Sequence, residues 1–168
     1  MEKSHAILLC HCYRHSYFNS CHKMKLARIG INGNEKPVLI DSEDNYRDLS
    51  SIIKDLDAST LNFETLEKIK KENIKNLPIL DKSQRVGACV SNPSKFIGIG
   101  LNFKDHAIEQ NLPIPKEPII FSKFTSCISG PNDDIKIPRN STHTDWEVEL
   151  GFVIGKKASY VSEADAIN

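Results

Sequence analysis

An α+β, β-rich fold is predicted for this chain on three observations. Two apolar runs flanking a turn open the regular part at Met24, two amphipathic helical stretches follow between residues 48 and 74, and from residue 95 onward short apolar runs alternate with turn residues. The expected organisation is an extension over residues 1–23, a small N-terminal α/β subdomain over 24–91 and the first part of a larger β-rich domain over 92–168.

The elements follow in order. Residues 26–31 and 37–40 read as strands around Asn32-Gly33-Asn34, which makes a hairpin the simplest local structure. Asp48-Leu49-Ser50 leads into a first helical pattern with Ile52, Ile53 and Leu56; a second carries Phe63, Leu66, Ile69 and Ile74. Lys68-Ile69-Lys70-Lys71-Glu72 reads as a solvated helix face, with a binding patch as the alternative. Residues 77–80 and 86–90 are short apolar runs, and Ser91-Asn92-Pro93-Ser94 sets a boundary near residue 92. Residues 95–101 have the pattern of a buried strand, 102–111 that of a short helix, and Pro113, Pro115 and Pro118 prevent that helix from continuing. Further strands are expected at 119–121, 135–137 and 147–154, and a helix begins at residue 162 that the chain barely enters.

Charge narrows the function classes. Lys and Arg number 22, as do Asp and Glu, so no basic surplus points to nucleic acid or an anionic membrane. No apolar run is long enough to cross a bilayer, and Ala6-Ile7-Leu8-Leu9-Cys10 is too short for a secretory core, so a cytoplasmic protein is expected. Cys10, Cys12, Cys21, His5, His11, His15 and His22 all precede Met24. They read either as an appendage or misplaced start, or as a small zinc site whose Cys10-x-Cys12 and Cys21-His22 spacing departs from paired CxxC.

The stretch Asp145-Trp146-Glu147-Val148-Glu149-Leu150 sets two carboxylates one residue apart in an apolar run. On a strand Glu147 and Glu149 share a face, and burial of two like charges calls for a cation. All-oxygen ligation favours Mg²⁺, Mn²⁺ or Ca²⁺ over zinc; an edge strand with a solvated acidic face is the alternative. His106 and Glu109 stand three apart in a helical pattern, a candidate general base with its orienting carboxylate or else a surface pair. Gly98-Ile99-Gly100 lacks the third glycine of a dinucleotide fingerprint, since Phe103 stands in its place; the glycines permit close backbone approach, to a substrate or in a tight strand-to-helix turn. Lys123 is a lone lysine in an apolar strand, so either an anion lies nearby or the side chain snorkels to solvent.

In order and spacing, KLARIG, EKPVLID, FIGIGLNFKDHAIE, EPIIFSKFTSCISGPNDDIKIP and TDWEVELGFVIGKKA resemble the N-terminal portion of the fumarylacetoacetate hydrolase family. The resemblance runs from Met24 to Asn168 and looks closest to the ureidoglycolate lyase-like and 2,4-diketo-3-deoxy-sugar-acid hydrolase subgroup. It implies the first part of a mixed β-roll, Glu147 and Glu149 as metal ligands, His106 and Glu109 as a water-activating dyad, and Lys123 as a contact to the substrate or its developing enolate. The implied reaction is metal-dependent cleavage of a 2-oxo or diketo acid with Mg²⁺ or Mn²⁺, in a homodimer. The family's third acidic ligand has no counterpart by motif in this chain, so a truncated chain of low activity, or a non-catalytic remnant or interaction module, is expected.

Overall fold

The structure, a computed structural model, describes residues 24–166 and, at backbone level, residues 8–10. The chain divides into two units, Asn92–Ile128 and the remainder.

The larger unit is built on a five-stranded antiparallel sheet in the order β1-β2-β3-β4-β5, comprising β1 (Leu8–Cys10), β2 (Met24–Ile29), β3 (Lys36–Ile40), β4 (Tyr46–Asp48) and β5 (Ile79–Leu80). The β2–β3 hairpin forms with Leu26 opposite Leu39 and Ala27 opposite Val38. Its first strand ends at Ile29 rather than residue 31, because Gly30 takes φ 124, where a Cβ would be strained. Part of the N-terminal extension, Leu8–Cys10, pairs along the free side of β2.

The sheet is covered on both faces, and strand alternation divides its apolar residues between them. Met24, Leu26 and Leu39 join a cluster with Leu49, Ile53, Leu56, Leu61, Leu66 and Ile69, whereas Ala27, Ile29, Val38 and Ile40 pack with Tyr46 and Val86. Helix α1 (Phe63–Lys71) supplies Leu66 and Ile69 to the first cluster, one turn apart, and leaves its lysines outside, with Lys70 paired to Glu67 at 2.6 Å. Its N-terminus is fixed by the Asn62 side chain, which accepts the Thr65 amide at 2.9 Å. Asn62→Ala is therefore expected to lower stability by about 1 kcal/mol, read as a shift of the urea midpoint.

The other expected helix does not form. Over residues 48–60 short polar side chains bind the backbone instead: Asp48 accepts Ser50 N, Asp57 accepts Ser59 N, and the Thr60 hydroxyl donates to Asp55 O. These local bonds offer the chain turns in place of a helix, yet Leu49, Ile53 and Leu56 still reach the core. Residues 86–90 hold no strand, only a single bridge from Val86 to Ile29. The strands expected at 135–137 and 147–154 are absent as well. Trp146 is 79% exposed and Leu150 85%. A strand needs a hydrogen-bonded neighbour, and no described segment pairs with either stretch. At residues 162–166 one turn forms, with Ala166 N donating to Ser162 O.

The Asn92–Ile128 unit holds β6 (Phe96–Gly100), α2 (Lys104–Glu109) and β7 (Ile119–Lys123). Strands β6 and β7 form an antiparallel ribbon with Gly98 opposite Phe121. The strand expected at 95–101 is present, but not buried: Ile97 and Ile99 remain exposed, since one neighbouring strand covers neither face. Among the described residues no helix is long and apolar enough to cross a membrane.

Candidate functional site

His106 and Glu109 lie on α2, which follows β6 through a tight turn in which Leu101 takes φ 49. A left-handed conformation at a bulky residue stores strain, and here it starts the strand-to-helix turn that aims α2. The i,i+3 spacing puts both side chains on one side of the helix, His106 half-buried and Glu109 exposed. No hydrogen bond or ion pair between them is present among the described residues. An imidazole can take a proton from water, and a carboxylate one turn away can orient it.

Lys123 ends β7 directly opposite Phe96. Its Nζ lies 5.7 Å from the centroid of the Phe96 ring and 5.9 Å from that of Phe121, so two aromatic faces hold the ammonium on the ribbon. The neighbouring glycine has the same cause: a Cβ on Gly98 would collide with the Phe121 ring, so this glycine makes room for the aromatic side chain. Beside these elements Leu101, Leu112, Pro113, Ile114, Pro115 and Ile119 line an open apolar concavity.

Glu147 and Glu149 belong to the other unit, in the irregular stretch after residue 139, and both are exposed. Their exposure removes the electrostatic need for a shared cation that a buried strand would impose, because water can solvate each carboxylate. Among the described residues no three His, Cys, Asp or Glu side chains gather into a group that could hold a metal, so the residues present do not fit a complete ion site. The Cys/His-rich group over residues 5–22 lies outside the described residues apart from the backbone of Cys10. Elsewhere, burial pushes the Cys89 thiol up, which disfavours a thiolate nucleophile.

Residues 95–168 match the family model for fumarylacetoacetate hydrolase, C-terminal. Over this segment, which is less than half of the chain, the sequence is similar to that family. All five expected site residues, His106, Glu109, Lys123, Glu147 and Glu149, fall inside the matched segment. Similar proteins carry the name "Putative hydrolase". One from Burkholderia orbicola (strain MC0-3) is 50% identical over 145 residues, which are 86% of this chain and 51% of the relative. One from Burkholderia cenocepacia (strain HI2424) is 49% identical and one from Burkholderia ambifaria (strain MC40-6) 48%, with the same coverage. The chain thus spans about half the length of the curated relatives it matches.

Sequence reasoning missed the aromatic setting of Lys123. The signal was available in Phe96 and Phe121, but it emerges only once the β6–β7 register is fixed.

Proposed function

We propose that this chain is a fumarylacetoacetate hydrolase family member that cleaves a carbon–carbon bond of a 2-oxo or diketo acid, in the subgroup of ureidoglycolate lyase-like and diketo-sugar-acid hydrolases. The observation that carries the reading is the family match over residues 95–168, which contains His106, Glu109, Lys123, Glu147 and Glu149. In this reading His106 takes a proton from water and Glu109 orients the imidazole. The hydroxide adds to the distal carbonyl carbon, the adjacent C–C bond breaks, and its electron pair leaves as an enolate beside the Lys123 ammonium; proton return from the imidazolium completes the cycle. Glu147 and Glu149 are the proposed carboxylate ligands of Mg²⁺ or Mn²⁺, with Ca²⁺ as a further candidate, and no step is assigned to that ion. The proposed partners are the small acid and a second copy of the chain, in the cytoplasm.

Turnover of an acylpyruvate by the 168-residue chain tests this. His106→Ala is expected to lower kcat by about 10²–10⁴-fold, the usual worth of a positioned acid–base group. Calorimetric titration with Mn²⁺ is expected to give weak binding that Glu147→Ala abolishes. Identical heats for the two proteins would remove the ligand assignment. A second reading, a non-catalytic interaction module, is favoured by the exposed Trp146, Val148, Leu150 and Phe152 and by the absence, among the described residues, of a group of three metal-ligating side chains. Measurable turnover would exclude it.

A further inference from the structure

The chain leaves the larger unit at Ser91 and returns to it at Ser129. Both ends of this excursion are tied to charged groups. At the exit, Ser91 N donates to Leu56 O at 2.7 Å, and the Ser91 hydroxyl bonds the Asp55 carboxylate. At the return, Gly130 N donates to Asp133 Oδ2 at 2.6 Å, and Arg85 grips the same carboxylate through Nε, at 2.6 Å from Oδ1, and Nη2.

The two ends are joined through the interior. Arg28 holds Asp55 with two bonds, Nε to Oδ1 at 2.6 Å and Nη2 to Oδ2 at 2.9 Å, and Nη2 also reaches Glu35 Oε2 at 3.1 Å. The other oxygen of Glu35 accepts Arg85 Nη1 at 2.8 Å. The result is an unbroken line of alternating charge, Asp55, Arg28, Glu35, Arg85 and Asp133, in which Glu35 is the side chain that bonds both arginines among the described residues. The backbone runs alongside: Gly30 N donates to Arg85 O and Gly87 N to Arg28 O, both at 2.8 Å. Space along this line is tight, since a Cβ on Gly87 would strike the Glu35 carboxylate and one on Gly130 the Val86 carbonyl.

We infer that this five-charge relay is a clasp on the neck of the Asn92–Ile128 unit, in which Glu35 couples the exit at Ser91 to the return at Gly130 so that both are held or released together. An isolated surface pair would not do this, because its loss is compensated by water. Here Arg28 and Glu35 are buried, so removing the middle member leaves two guanidinium groups short of an acceptor and loosens the grip of each on its own carboxylate. The charge states support the arrangement. Burial raises the Glu35 carboxyl, but the bond from Arg85 and the charges of both arginines outweigh it and hold the group below its ordinary value. Asp55 behaves likewise beside Arg28, and the Arg85 bond lowers Asp133. Cys89, which feels the charge of Arg28, has its thiol pushed up by burial and stays neutral.

Amide hydrogen exchange on the full chain reads the coupling. In Glu35→Gln, exchange at both Ser91 and Gly130 is expected to accelerate at least tenfold and by similar factors, while Leu66 in α1 keeps its rate. Acceleration at Gly130 alone, or no change at either, would overturn the clasp. Should the variant fail to fold, the wild type decides by protection factors followed from about pH 7 to about pH 3. Joint loss at Ser91 and Gly130 ahead of Leu66 supports the inference; separate loss, or loss at all three together, rejects it.

Discussion

Leu26→Ala is expected to lower the free energy of unfolding by about 3–5 kcal/mol, a large share of the roughly 5–15 kcal/mol that holds a domain folded. Leu26 is 0% exposed and lies on β2, an interior strand of the sheet, opposite Leu39 on β3. Its side chain packs in the cluster formed with Leu49, Ile53, Leu56, Leu66 and Ile69, so truncation removes apolar contacts from the strand, the turn segment and α1 together. Closely packed elements on that face limit collapse around the void, which places the cost toward the upper part of the range for such truncations. Urea unfolding checks this: the midpoint should fall with the slope unchanged. Leu150→Ala is the matched control. At 85% exposure it should shift stability by no more than about 0.5 kcal/mol. Equal costs at the two positions would mean that residues 147–154 are packed and that their apolar alternation forms the strand the sequence pattern suggests.

That contrast marks how far the fold was legible. The β2–β3 hairpin and α1 were readable because their signals are local: turn residues between two apolar runs, and Leu66 and Ile69 one turn apart. Strand β4 was not, since Tyr46-Arg47-Asp48 is three residues long and gains its identity only by pairing with β3 and β5. The apolar spacing of Ile52, Ile53 and Leu56 correctly marked core residues but not their backbone, because Asp48, Asp57 and Thr60 compete for the amides and carbonyls a helix would use. At 147–154 the periodicity was sound, and a pairing partner was what it could not supply. The candidate site divides in the same way. His106 and Glu109 share a helix face as their spacing requires, whereas the rings around Lys123 depend on cross-strand register. The relay around Glu35 joins residues up to 50 positions apart, and no local pattern encodes such a separation.

Arg28→Met should cost about 3–5 kcal/mol at neutral pH, from a different source than a cavity. Methionine fills a similar volume, so packing changes little, but Asp55 loses its counter-charge inside the protein, Glu35 is left with Arg85 alone and Ala88 O loses its donor. The sign of the pH dependence follows from the carboxyl groups. Glu35 and Asp55 are each held below their ordinary values despite burial, so the stability they contribute is present above about pH 4, where the unfolded chain is already ionised, and is lost as pH falls through the lower folded values. The difference between wild type and Arg28→Met should therefore be largest near neutrality and shrink below about pH 4, as protonation leaves the wild-type arginine with no anion to hold. Arg28→Lys should recover only part of the loss, because an ammonium cannot match the two-bond grip on Asp55 while also reaching Glu35. Urea titrations of the three proteins at two pH values measure these terms. A wild-type-to-methionine difference that stays constant with pH would assign the cost to packing, and Arg28 would then act through its carbon stem rather than its charge.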